Sequence, residues 1–143
     1  MAAKKKTEDL IFLPLGGGGE IGMNFALYGY GKGKDRRFII VDVGVTFPND
    51  SFPGADLVLP DISYITDRLD KLDGIIITHA HEDHYGALLA LWPMLKTKVW
   101  CTPFTAGMLE AKIEGERNAP KIDIEVFKAG KPFKVGPFEI AGI

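Results

Sequence analysis

Three histidines and two acids fall within six residues, His79-Ala80-His81-Glu82-Asp83-His84, directly after the apolar run Gly74-Ile75-Ile76-Ile77-Thr78. The run is β-branched and continuous, the pattern of a strand buried on both faces, and residues 83–95 carry apolar side chains at helical spacing (Ala87, Leu88, Leu91, Trp92, Leu95). The polar cluster is therefore predicted in a strand-to-helix turn. A fold that hides the strand while presenting that turn is an open α/β sheet, where ligands bind outside the carboxyl ends of strands.

Imidazole nitrogen and carboxylate oxygen suit zinc, manganese or iron, and no thiolate stands nearby to make a structural cysteine cluster. His79 and His81, two apart in an extended segment, project to one side and can share a metal. Asp83 and His84, adjacent where the helix begins, can point into a neighbouring position. The spacing thus predicts two metals rather than one. Two metals about 3.5–4 Å apart can bridge a hydroxide and clamp the attacking and leaving oxygens of a displacement. The positive end of the helix dipole disfavours imidazolium and keeps His84 neutral and able to ligate. Surface histidines in a loop are the bland alternative, but such spacing seldom arises by chance. The implied chemistry is hydrolytic.

Elsewhere, strands are predicted at residues 10–14, 24–30 and 38–43, the last two joined across the turn-rich Gly31-Lys32-Gly33-Lys34-Asp35. A loop holding Pro48, Pro53 and Gly54 leads to a helix over residues 61–71, with Ile62, Ile65 and Leu69 inward. A second helix is expected at 103–114, and strands around Val99, 122–127 and 138–143. Hairpins followed by strand-helix alternation predict an α/β fold, a mixed sheet with helices on one side. Residues 1–9, with Lys4-Lys5-Lys6, read as a disordered basic tail, and 10–143 as one domain piece. Trp92, Met94 and Trp100 read as core. Asp50, Asp56 and Asp61 read as turn and cap residues.

No apolar run reaches the roughly 18–20 residues that span a bilayer, and the amino terminus lacks the apolar stretch of a signal peptide. The expected location is the cytoplasm, with no membrane association. The single cysteine, Cys101, excludes an internal disulfide and has no spare histidine to activate it, so it reads as a packed side chain. Gly17-x-Gly19-x-x-Gly22 formally matches a dinucleotide fingerprint, with Asp42 about 20 residues on. The context fails, because the residues after Gly22 alternate like a strand and offer no helix N-terminus to a pyrophosphate.

The His-x-His-x-Asp-His pattern after a strand resembles the signature of the metallo-β-lactamase superfamily. Three more stretches narrow the resemblance: Phe12-Leu-Pro-Leu-Gly-Gly-Gly-Gly-Glu-Ile-Gly-Met-Asn24, Val41-Asp-Val-Gly-Val-Thr-Phe-Pro48 and Gly54-Ala-Asp-Leu-Val-Leu-Pro-Asp-Ile-Ser-Tyr-Ile65. With Ile77-Thr-His-Ala-His-Glu-Asp-His-Tyr-Gly86 they are similar to the amino-terminal part of the ribonuclease J family, in the β-CASP group. The resemblance implies an αβ/βα sandwich and hydrolysis of RNA phosphodiesters, from a 5′-monophosphate end and internally. It implies two divalent cations, zinc first and manganese as the alternative. His79 and His81 would hold one, Asp83 and His84 the other, with Asp83 also orienting the nucleophile. Glu82 is not a ligand in the family pattern. Asp42, at the end of a strand, would lie under the metal loop as a hydrogen-bond acceptor; a strand-end aspartate capping a turn is the plainer reading. RNA, a homo-oligomeric parent protein and an RNA-degradation complex are the implied partners. A thioesterase or lactonase of the same superfamily would share the metal motif without the flanking stretches, and a non-catalytic fragment or interaction module, told apart by its metal stoichiometry, is the third reading.

Length bears on activity. A complete domain of this superfamily needs two facing αβ layers, and 143 residues read as roughly the first. No histidine follows His84, so each metal would keep two ligands where a catalytic zinc ordinarily has three from protein. The expectation is a fragment that binds metal weakly, is inactive alone, and lacks the β-CASP and carboxyl-terminal domains. The net charge of −2 gives no basic footprint for nucleic acid, but cations at the site would themselves neutralise a phosphate.

Overall fold

The computed structural model describes residues 8–48 and 53–143; Lys4 to Lys6 and Asp50 lie outside the described residues. Six strands form one mixed sheet in chain order: β1 (Asp9–Gly16), β2 (Phe25–Gly31), β3 (Arg37–Val41), β4 (Leu72–Ile76), β5 (Val99–Cys101) and β6 (Ile124–Val126). The first three pair antiparallel, and β3 to β6 run parallel. Asp9, read from sequence as part of the tail, instead opens β1 opposite Gly31.

Alternation along the central strands sorts the two faces. Leu27, Ile40, Ile75 and Val99 point one way and are buried under α1 (Ser63–Thr66), α2 (Glu82–Tyr85), α3 (Leu88–Leu95) and α4 (Pro103–Gly115), with Ile65, Leu88, Leu91 and Leu109 closing over them. Each such side chain contributes about 1.5–3 kcal/mol of burial, so this layer holds the sheet in place. Ile39 and Ile76 point the other way and meet a separate hairpin, β7 (Phe133–Val135) and β8 (Phe138–Ile140), together with Phe127 and Trp100. Gly74 admits that hairpin: a Cβ there would lie 2.8 Å from a methyl of Val135. The mixed sheet with helices on one side is thus as expected from sequence, and β7 is an addition.

Several expected elements are shorter than predicted. The helix over 61–71 is a single α turn, α1, followed by a 3-10 turn at Leu69–Lys71, because Arg68 and Lys71 bond back three residues, to Ile65 and Arg68. Leu69, expected inward, is exposed. The helix over 83–95 is broken between α2 and α3: the amide of Ala87 leaves the helical ladder and donates to the carbonyl of Val43, 3.0 Å away. Met94, expected in the core, faces outward on α3. β3 stops at Val41 because Asp42 takes a left-handed conformation, φ +64°.

Cys101 on β5 is fully buried in the helix-side core, and burial, helped by the charge of Glu110, pushes its thiol up to about 11 from about 9. The folded protein therefore keeps a proton that an unfolded chain releases about two pH units earlier. Below pH 9 both states hold it and this stabilisation is intact; it fades between pH 9 and 11 by about 3 kcal/mol. Urea midpoints measured from pH 8 to 11 should fall more steeply for the wild type than for Cys101→Ala. Equal slopes would mean the thiol is not held protonated by the core.

Candidate metal centre

Asp42 follows the carboxyl end of β3, and Thr78 to His84 follow the carboxyl end of the parallel neighbour β4, so one crevice receives both segments. Consecutive carbonyls of the turn are tied down by amides far away in sequence: Glu82 accepts from Val45 at 3.2 Å, Asp83 from Asn24 at 2.9 Å and His84 from Val43 at 2.8 Å. Gly44 lies in the middle of this lattice and donates to the Asn24 carbonyl at 2.8 Å. The turn is thereby held as a rigid surface rather than a free loop.

The five residues singled out from sequence lie together. The Nε2 of His79 and the Nδ1 of His81 are 3.1 Å apart, and the ring of His79 also lies 4.0 Å from that of His84, centre to centre. An Oδ2 of Asp83 stands 3.5 Å from the Nε2 of His84. Beneath them Asp42 is buried; it accepts from the Thr78 amide at 2.8 Å, from the Thr78 hydroxyl at 2.8 Å, and faces the Nδ1 of His84 at 2.7 Å. A carboxylate there fixes the proton on Nδ1 and leaves the lone pair of Nε2 turned towards Asp83. His79 is steadied in the same way, its Nδ1 lying 2.9 Å from the Thr78 hydroxyl.

The donors are neutral-type nitrogens and one carboxylate, paired two and two. Tetrahedral zinc with Zn–N bonds of about 2.0–2.1 Å holds two nitrogens about 3.3 Å apart, close to the His79–His81 separation. The donor set fits a divalent cation. Among the described residues, however, no three His, Cys, Asp or Glu side chains converge as a complete ligand set.

Glu82 points away from this cluster. Both of its carboxylate oxygens accept from Lys112 on α4 at 2.7 Å, and the same ammonium lies 4.7 Å above the ring of Tyr85, so α4 braces α2 from outside. Asn24 and Thr78 are site residues that sequence reasoning passed over, although both lie within the stretches that carry the family resemblance. A carboxamide at the end of a glycine turn was the available signal. Gly17, Gly19 and Gly22 all adopt positive φ and lead into β2, in keeping with a tight turn and not a nucleotide loop. Asp61 lies in the turn just before Ile62, the N-cap of α1, and accepts from the Ser63 amide at 2.9 Å, which holds its carboxyl below the usual range.

Residues 38–142 match the family described as Beta-lactamase superfamily domain. Over 138 residues, 96% of the chain, the sequence is 57% identical to a protein named Ribonuclease J from Sinorhizobium meliloti and 38% identical to one from Corynebacterium glutamicum. It is 38% identical over 91% of its length to another from Helicobacter pylori. The chain spans 24%, 18% and 18% of those relatives. Among solved structures, the Rm3 metallo-beta-lactamase superimposes with a TM-score of 0.54 at 18% identity, covering 90% of this chain and 46% of that one. A flavoprotein from Thermotoga maritima gives 0.50 at 18% identity, covering 93% and 35%. These two likenesses speak to the fold.

Proposed function

The chain belongs to the β-lactamase superfamily and has the metallo-β-lactamase fold, and on that footing we propose that it forms part of a metal-dependent ribonuclease of the ribonuclease J type. The relatives' names supply the substrate, RNA, and the observation that carries the chemistry is the pairing of His79 with His81 and of Asp83 with His84 around one crevice.

His79 and His81 would hold one divalent cation, and Asp83 with His84 a second. Bound there, such cations supply Lewis acidity and a more acidic water, the two requirements of phosphodiester hydrolysis at neutral pH. The chain's own contribution is orientation. Asp42 and Thr78 set the tautomers of His84 and His79, and the carboxylate of Asp83 would also orient a nucleophile. Zinc is the first expectation for both pairs and manganese the alternative. A 5′-monophosphorylated RNA is the proposed substrate, cut from its end and internally, in a cytoplasmic homo-oligomer working with an RNA-degradation complex. No helix among the described residues is long and apolar enough to cross a membrane.

With two ligands in each pair, this chain is expected to bind zinc or manganese weakly and to show no turnover by itself. The test is cleavage of a 5′-monophosphorylated RNA by the reading frame that contains this chain, carried to its stop codon, beside the 143-residue chain and a His81→Ala variant. Mononucleotide release by the long form, lost in the variant and in the short chain, supports the assignment. Hydrolysis of thioesters or lactones with RNA left intact would overturn it and leave the superfamily alone.

A further inference from the structure

We propose that Asn24 is a placeholder at the Asp83–His84 pair: its carboxamide occupies the atoms through which that pair would hold a cation, and yields them when the cation enters. The inference rests on the proposed ligand role of that pair.

The Nδ2 of Asn24 lies 3.0 Å from the carbonyl oxygen of Asp83, 3.3 Å from its Oδ2 and 3.3 Å from the Nε2 of His84. All three are acceptors. The Nε2 is one because the Asp42 carboxylate faces Nδ1 at 2.7 Å and draws the ring proton there. Chemistry therefore decides which end of the amide points inward, since its oxygen in that position would oppose three lone pairs. The nitrogen stands equally far from Oδ2 and Nε2, which are themselves 3.5 Å apart. Both candidate ligand atoms are thus held at a cation-sharing separation by a neutral donor.

A ring nitrogen has one in-plane lone pair. It can accept an N–H or bind a cation, not both, so a cation at the Nε2 of His84 displaces the Asn24 amide. The other end of the side chain has little room for retreat: a Cβ at Gly17 would lie 2.7 Å from the Oδ1 of Asn24, and Gly17 sits at φ +76°. Glycine at 17 is what lets the amide lie between the amino-terminal loop and the pair. The backbone of Asn24 makes its own bonds, donating to the Asp83 carbonyl and accepting from Gly44, so truncating the side chain leaves the turn tied.

Removing the amide should therefore free the pair rather than collapse it. In Asn24→Ala, zinc binding measured by calorimetry should tighten by about threefold to tenfold, the displacement of one hydrogen bond no longer opposing it. In Asn24→Asp, of the same shape, a carboxylate replaces the donor; zinc should bind tighter still, while the urea midpoint without metal falls because acceptors now face one another. Nitrogen-15 spectra of the metal-free wild type should show the Nε2 of His84 accepting a hydrogen bond, and those of Asn24→Ala a free lone pair on the same tautomer. Unchanged or weaker zinc binding at this pair in both variants, with one zinc equivalent still lost in His84→Ala and the His79–His81 equivalent kept, overturns the role of Asn24 and leaves the ligand reading standing. Zinc binding indifferent to His84→Ala, or absent in every form, overturns both.

Discussion

Gly44→Ala is expected to lower stability by about 3 kcal/mol or more and to abolish cation binding at the Asp83–His84 pair. A Cβ at residue 44 would fall far inside van der Waals contact of the Asp83 carbonyl group and 2.7 Å from the Asn24 amide nitrogen. Every one of these neighbours is backbone, so no side-chain rotation relieves the clash, and overpacking a closed site without such relief costs at the upper end of its usual range. The segments in conflict are also those joined by the hydrogen bonds of residues 24, 43–45 and 82–84. Moving them apart breaks several bonds at once and carries Asp83 and His84 out of register. The φ of Gly44 lies outside the left-handed region, so the cost is one of space. Urea unfolding with zinc titration checks this; a midpoint and affinity like the wild type would mean that the turn is far more pliant than its bonding indicates.

Asp42→Asn should leave the fold in place and weaken zinc binding by about 10–100-fold, the range seen when a residue supporting a ligand histidine is changed. Asparagine tolerates the left-handed conformation found here, φ +64°, and has nearly the same volume. Its failure is electrostatic. The carboxylate faces donors on both edges, Thr78 on one and the Nδ1 of His84 on the other. An amide has one oxygen, and if that oxygen serves Thr78 its nitrogen meets the ring and drives the imidazole proton to Nε2. The lone pair of His84 then points at residue 42 and away from Asp83. The loss in stability should be about 1–3 kcal/mol, since a buried donor or acceptor is left mismatched. Nitrogen-15 spectra read the tautomer directly, and an unshifted Nδ1–H form with wild-type zinc affinity would show that Asp42 is dispensable to the centre.

The histidine turn, the strand before it and the mixed sheet with helices on one side were legible because their signals are local. A β-branched run, a two-residue spacing of ligands and the alternation of β2 and β3 are each contained within a dozen residues. The same local reading overran at residues 83–95, where apolar periodicity continues across Gly86 and Ala87 although the helix does not. The Val43 carbonyl breaks it from more than 40 positions away, by capturing the amide of Ala87.

The candidate site divides along the same line. Sequence singled out the candidate side chains, a cluster of imidazoles and a carboxylate, and through resemblance set Asp42 beneath them. Tertiary structure alone decided how they are aimed. The left-handed turn at Asp42, the amide of Asn24 against Asp83 and His84, and the brace from Lys112 to Glu82 join residues from 30 to 60 positions apart. No periodicity encodes such partners, because each bond becomes favourable only after the sheet and helices have brought its two ends together and excluded the water that would otherwise compete for them.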